Sequence, residues 1–311
     1  MASERYEEQV RLLVQTLPVV AEHKCFALKG GTALNLFLRD MPRLSVDIDL
    51  VYLPLNTREE ALAESRQALE AICESIRGGA VPNAAAQVMG NRPDALRAVV
   101  RREQTQIKIE LSPVLRGTVV PPESRSVSPD AADRFGHAEM LVANAVDLYG
   151  GKICAALDRQ HPRDLFDVKL LLDSGGLTRD VIEGFLVYLI SHGRPIRELL
   201  DPRLGDIRET FTNQFQGMTR EPVQVEELEH ARDELLGRLR EMLTPADCAF
   251  LLSVKRGEPD WSHLQYPHIQ ELPGVRWKLQ NIGNMKPDAR QRNLAALEEV
   301  LAANYNYGGE R

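Results

Sequence analysis

The chain has 311 residues, of which 43% are hydrophobic and 27% charged, and its formal net charge is −7. These are the values of an ordinary globular protein, long enough for two domains, read here as 1–177 and 178–311. The acidity argues against a broadly basic nucleic-acid coat but leaves room for a local basic track. Cys25, Cys73, Cys154 and Cys248 form no CxxC pair and no His/Cys cluster. That excludes a zinc ribbon and predicts reduced thiols in a cytoplasmic protein. The N-terminus MASERYEEQVRLLVQTL is charged and amphipathic, unlike a signal peptide. The longest apolar run, Val181 to Ile190, is too short to span a bilayer.

Val10, Leu13, Val14 and Leu17 have helical spacing, which predicts a helix from Glu4 ending at Pro18. Cys25 to Leu28 reads as a buried strand, broken by Gly30-Gly31, a pair that permits a tight turn and close approach to the backbone. Thr32 is the expected N-cap of the helix that follows. Residues Arg43 to Leu50 alternate with period two, placing Leu44, Val46, Ile48 and Leu50 on one face and Ser45, Asp47 and Asp49 on the other. Two carboxylates side by side repel each other unless a cation neutralises them, and a divalent metal is the natural partner. A solvated edge strand accounts for a DxD as well, so the pair gains meaning only from the glycine turn ahead of it.

Thr57 caps a predicted helix from Arg58 to about Arg77. Strands are expected at 84–90 and 96–102, separated by the turn Asn91-Arg92-Pro93-Asp94, and Arg92, Arg97, Arg101 and Arg102 make this hairpin basic. A solvated face explains such arginines without a substrate. In the strand Gln106 to Leu111, Ile107, Ile109 and Leu111 face one way and Lys108 and Glu110 the other, so Glu110 is the candidate third carboxylate.

Residues 117–136 read as a loop, Glu139 to Ala143 as a strand, and Asn144 as the cap of a helix that Gly150-Gly151 weakens. Lys152, Ala156 and Arg159 share one face of that helix. After the His161-Pro162 break, Asp164 and Asp167 share a face of the next. Surface ion pairs would explain this charged group as well as chemistry would. Helices are predicted at 178–191, 224–243, 245–255 and 287–303, with Gly205 to Pro222 a loop, Trp261 to Asn284 irregular and the tail from Asn304 disordered.

Two segments, KGGTALNLFLRDMPRLSVDIDLVY and KICAALDRQHPRDLFDVKLLL, together resemble the AbiEii/AbiGii-type toxin nucleotidyltransferases of type IV toxin–antitoxin systems. The resemblance covers about residues 20 to 190 and implies the polymerase-beta-like nucleotidyltransferase superfamily. The implied fold is α/β (α+β): a core with a mixed sheet, followed by a mainly helical C-terminal region. Carried over, the family's glycine turn falls on Gly30, Gly31 and Thr32, its metal-binding pair on Asp47 and Asp49 with Ser45 just ahead, and its lysine on Lys152. Its arginine–aspartate segment falls on Asp158, Arg159, Arg163, Asp164 and Asp167. The resemblance implies transfer of a nucleoside monophosphate from an NTP to a hydroxyl, with Mg²⁺ held by Asp47, Asp49 and Glu110. Nucleotide binding would fall to Gly30, Gly31, Thr32, Ser45, Lys152, Arg159 and Arg163, and catalysis to Asp47, Asp49, Lys152, Asp164 and Asp167. The implied acceptor is the 3′ end of tRNA, with a cognate antitoxin as partner and phage defence as the setting. A silent nucleotide- or RNA-binding module, or an enzyme modifying a protein, are the alternatives.

Overall fold

The computed structural model describes residues 2–90, 92, 94–305 and 307. The chain forms two compact units, Met1–Leu148 with Gly217–Pro222, and Tyr149–Gln216 with Val223–Arg311. No helix among the described residues is long and apolar enough to cross a membrane. All four cysteines are free thiols.

The first unit opens with helix α1 (Ala2–Ala21), which runs through Pro18 instead of ending there. Proline removes one helical hydrogen bond, but Val19 and Val20 continue the buried stripe of Val10, Leu13, Val14 and Leu17. Strand β1 (Phe26–Lys29) leads into α2 (Gly30–Thr32), continued by a π-helical turn at Ala33–Leu38. Strand β2 is Asp47–Tyr52; the expected start at Arg43 is not seen, and only an isolated bridge from Arg43 to Thr219 extends the pairing. Helix α3 (Arg58–Ser75) carries the predicted cap, as a capping box in which Thr57 and Glu60 each bond the other's backbone N–H.

Strands β3 (Ala85–Met89), β4 (Arg97–Arg102) and β5 (Thr105–Leu111) follow. Of the turn tetrad between the first two, Asn91 and Pro93 lie outside the described residues. The expected loop at 117–136 contains β6 (Glu123–Ser126) and α4 (Pro129–Phe135), the latter capped by Ser128. Polar β6 is too short for a periodic signal, and it is held by antiparallel pairing to β7 (Glu139–Val142). The sheet order is β3-β4-β5-β2-β1-β7-β6. Pairs β2/β5 and β1/β7 are parallel and the rest antiparallel, which makes the sheet mixed. Helix α1 packs on β5 and β7.

The second unit is helical. Helix α5 (Ala145–Arg159) begins in the first unit and is followed by α6 (Pro162–Asp173), α7 (Arg179–Ser191) and α8 (Ile196–Leu200). Next come α9 (Arg208–Gln214), α10 (Val225–Met242), α11 (Pro245–Arg256), α12 (Pro273–Gly283) and α13 (Pro287–Asn304). Helices α9 and α12 correct the expected loop and irregular stretch: Phe211 buries α9, while Val275 and Ile282 bury α12. Gly150 and Gly151 also gain a reason. A Cβ on Gly150 would lie 2.7 Å from the backbone carbon of Gly184 in α7, and one on Gly151 would lie 3.3 Å from the Tyr188 ring. The pair is a close helix crossing rather than a defect. Of the tail, Asn304 closes α13 and the Tyr305 hydroxyl donates to the Leu200 carbonyl at 2.7 Å, whereas 306 and 308–311 lie outside the described residues.

Candidate active site

In the first unit, β2 buries Ile48 and Leu50 and leaves Asp47 and Asp49 half-buried on the opposite face. The parallel register sets Asp47 beside Lys108 and Asp49 beside Glu110. The neighbouring antiparallel registers set Lys29 beside Asp49 and Arg97 beside Glu110. Residues directly opposite across paired strands share a face. Lys29, Asp49, Glu110 and Arg97 therefore form one row across four strands, two carboxylates flanked by two cations. Arg97 Nε lies 2.7 Å from the Glu110 carboxylate. Burial pushes the Lys29 ammonium below the usual lysine range, against the opposing pull of Asp49 and Asp147. Asp147 is itself fixed, accepting from the backbone N–H groups of Val119 at 2.8 Å and Val120 at 3.0 Å.

The glycine turn is built against this row. Gly30 has φ +73°, and a Cβ there would run into the Asp49 carboxylate. A Cβ on Gly31 would lie 2.8 Å from Arg43 Nη2 and 2.9 Å from Ser45 Oγ. Both positions need glycine because Asp49, Arg43 and Ser45 press on the turn. Thr32 is not the N-cap. It has helical φ −66° and ψ −42°, caps nothing with its side chain, and is buried. Its hydroxyl donates instead to the Asp47 carbonyl at 2.5 Å and lies 3.0 Å from Ser45 Oγ, tying the turn to the start of β2.

Asp47 and Asp49 suit Mg²⁺, which takes one or two carboxylates and completes its shell with water and substrate phosphate. The pair faces the same way beside a turn closely packed on it. Glu110 is adjacent in register but bound by Arg97, and among the described residues no group of three or more His, Cys, Asp or Glu is arranged to hold a metal. The residues present fit the ion as a pair; Glu110 joins only if Arg97 releases it.

In the second unit, α5 and α6 bring the charged residues together. Lys152 Nζ lies 2.8 Å from Asp164 Oδ1 and 3.0 Å from Asp167 Oδ2, with relative exposures of 8%, 1% and 3%. Arg159 Nε adds 2.5 Å to Asp164 Oδ2 from a largely exposed position. Burial alone would raise the Asp164 carboxyl, but Lys152 and Arg159 outweigh it and hold the group well below the usual carboxylate range. Surface ion pairs are therefore excluded for Lys152, Asp164 and Asp167. His161 Nδ1 caps α6 by accepting from Arg163 N–H at 3.1 Å, which fixes the break between the helices. Arg163 is half-buried and makes no ion pair among the described residues. Asp158 lies apart from this group, paired with Arg194 at 2.9 Å and facing His192.

Lys29, Arg43, Arg97 and Asp147 were not singled out as site residues by sequence reasoning. Lys29 carried a faint signal, a lysine closing an apolar strand just before two glycines. A family profile described as "Nucleotidyl transferase AbiEii toxin, Type IV TA system" matches residues 11–281. The chain belongs to that family. The fold agrees: MenT4, a nucleotidyltransferase toxin from Mycobacterium tuberculosis H37Rv, superposes with a TM-score of 0.54 at 16% identity, covering 96% of this chain and 93% of that one. No curated protein sequence matches. This AbiEii-family chain thus carries both quoted segments inside the matched region, one in each compact unit.

Proposed function

We propose that this AbiEii-family protein transfers a nucleoside monophosphate from an NTP to a hydroxyl, with the 3′ end of tRNA as acceptor and Mg²⁺ as cofactor. The observation that carries this reading is the strand register setting Asp47 and Asp49 on one face with the Gly30 turn packed onto Asp49. Asp47 and Asp49 would hold Mg²⁺, joined by Glu110 on release from Arg97. When bound, the ion would draw charge from the triphosphate and from the departing pyrophosphate. Backbone N–H groups at Gly30, Gly31 and Thr32 would meet phosphate oxygens, and Ser45 would support that turn. The acceptor oxygen bonds to the α-phosphorus as the bond to the β-phosphate oxygen breaks. The hydroxyl proton leaves to the carboxylate face, and pyrophosphate departs.

Lys152, Arg159 and Arg163 are assigned phosphate charge on the substrate, with Asp164 and Asp167 orienting Lys152 and Arg159 through the contacts described. Membership of a type IV toxin family supports a cognate antitoxin as partner. The test is incubation with each α-labelled NTP and total RNA, with Mg²⁺ or EDTA. Label in tRNA-sized RNA that requires Mg²⁺ and Asp49 supports the proposal. Label confined to protein, or none with any NTP, refutes it.

A further inference from the structure

The second unit holds a group of cations that the proposed chemistry does not use. Lys255, near the end of α11, is only 6% exposed. It makes no hydrogen bond or ion pair among the described residues. Burial lowers its ammonium, and the like charge of Arg197 in α8 lowers it further. Lys278 in α12 is pushed down to about 8 by burial and then by Lys255. Its Nζ donates to the carbonyls of His192 at 2.6 Å and Arg194 at 2.9 Å. An ammonium has three N–H donors, so one is left after these bonds.

Arg197 Nε is buried with no acceptor among the described residues. Its Nη2 reaches only Glu198, at 3.5 Å, and Glu198 is shared with Arg194 at 3.3 Å. The other nearby carboxylate, Asp158, is taken by Arg194 and His192. Buried cations without counter-ions cost free energy, and a guanidinium donor without an acceptor adds to that cost. An oxyanion would relieve both. A phosphate supplies several acceptor oxygens, which suits donors arriving from three different helices.

We infer that Lys255, Arg197 and Lys278 form a binding site for a phosphate group, carried by a free phosphate compound or by the end or backbone of an RNA. The site rests on residues of the second unit alone and stands whether or not the proposed transfer occurs.

The test is thermal unfolding of the full-length protein at constant ionic strength, with inorganic phosphate titrated against chloride. Parallel titrations use a 5′-phosphorylated oligoribonucleotide and its 5′-hydroxyl counterpart. Wild type should gain melting temperature as ligand rises. Lys255→Met keeps the apolar stem and removes the charge, so without ligand it should melt at or above the wild-type temperature and gain little or nothing from ligand. Arg197→Gln should respond likewise, whereas Lys255→Arg should keep the gain. A response to inorganic phosphate assigns a free-phosphate site. One confined to the oligoribonucleotides assigns an RNA phosphate, and preference for the 5′-phosphorylated strand makes it the terminal one. A flat wild type in every arm overturns the inference. So does an undiminished gain in Lys255→Met, which would belong to the glycine turn of the first unit. A Lys255→Met protein that fails to fold overturns it too, because it would show that the charge is already compensated.

Discussion

Replacing Lys152 by methionine separates stability from chemistry at the centre of the second unit. The ammonium lies 2.8 Å from Asp164 and 3.0 Å from Asp167, and both carboxylates are almost fully enclosed. Removing one partner from a buried ion pair costs about 3–5 kcal/mol, because the remaining charge stays desolvated. For a unit of this size that corresponds to roughly 6–20 °C in melting temperature. Arg159 still serves Asp164, so the loss falls mainly on Asp167.

The pH dependence of the two proteins should differ in sign. In the wild type, Asp164 has a depressed carboxyl, so its contribution is present above the unfolded value and is lost only as pH falls through the depressed one. Between pH 8 and 5 it adds no slope. In Lys152→Met the buried carboxylate is pushed upward, and a raised acid stabilises below its unfolded value and loses that contribution as pH rises. The variant should therefore recover melting temperature on acidification from about pH 7.5 to 5.5. Adding Asp167→Asn should restore most of the loss at neutral pH. Scanning calorimetry over a pH series reads all of this. A Lys152→Met protein melting within about 2 °C of wild type, with no pH recovery, refutes the buried-pair reasoning. If the restored double variant transfers nucleotide at the wild-type rate, Lys152 has no part in chemistry.

Asp49→Asn should lower Mg²⁺-dependent transfer by at least about 100-fold while leaving the melting temperature at or above wild type, since it relieves repulsion with Glu110; radiolabel transfer and calorimetry read the two effects. Gly30→Ala places a Cβ at φ +73° against the Asp49 carboxylate, and should cost about 1–2 kcal/mol from the backbone alone and reduce transfer by displacing Asp49. An active, unperturbed Gly30→Ala protein would mean the turn does not constrain Asp49. Gly150→Val drives side-chain carbons into the α7 backbone and should cost about 1–3 kcal/mol by denaturant unfolding, whereas Gly78→Ala, with nothing within 4 Å of its Cβ, should be neutral or slightly stabilising.

Local pattern carried some of this architecture and not the rest, and the difference is one of range. Alternation along residues 106–111 located β5 and its faces, because Ile107, Ile109 and Leu111 are buried and Glu110 between them is not. Nothing in that pattern says which strand lies alongside. The parallel register placing Glu110 beside Asp49 joins residues about sixty positions apart, and Arg97, read as one charge on a solvated hairpin, proves to be opposite Glu110. Helical spacing likewise put Lys152 and Arg159 on one face, but spacing cannot distinguish an outer face from an inner one. That depended on Gln160 adopting φ +47° and on His161 capping the next helix, which turns Asp164 and Asp167 back onto Lys152.

The same distinction explains the glycines. Gly150 reads as a helix weakness because propensity counts only the backbone's own helix, whereas its reason is a second helix more than thirty residues away. Gly30 was legible because its constraint is local: a short strand must turn at once into a helix. Yet what requires glycine there is again a partner from another strand, the carboxylate of Asp49. A site assembled from local turns and non-local registers is therefore visible in sequence as residue types in order. Its charge balance, with Lys29 and Arg97 flanking the carboxylates and two aspartates enclosing Lys152, follows only from the packing.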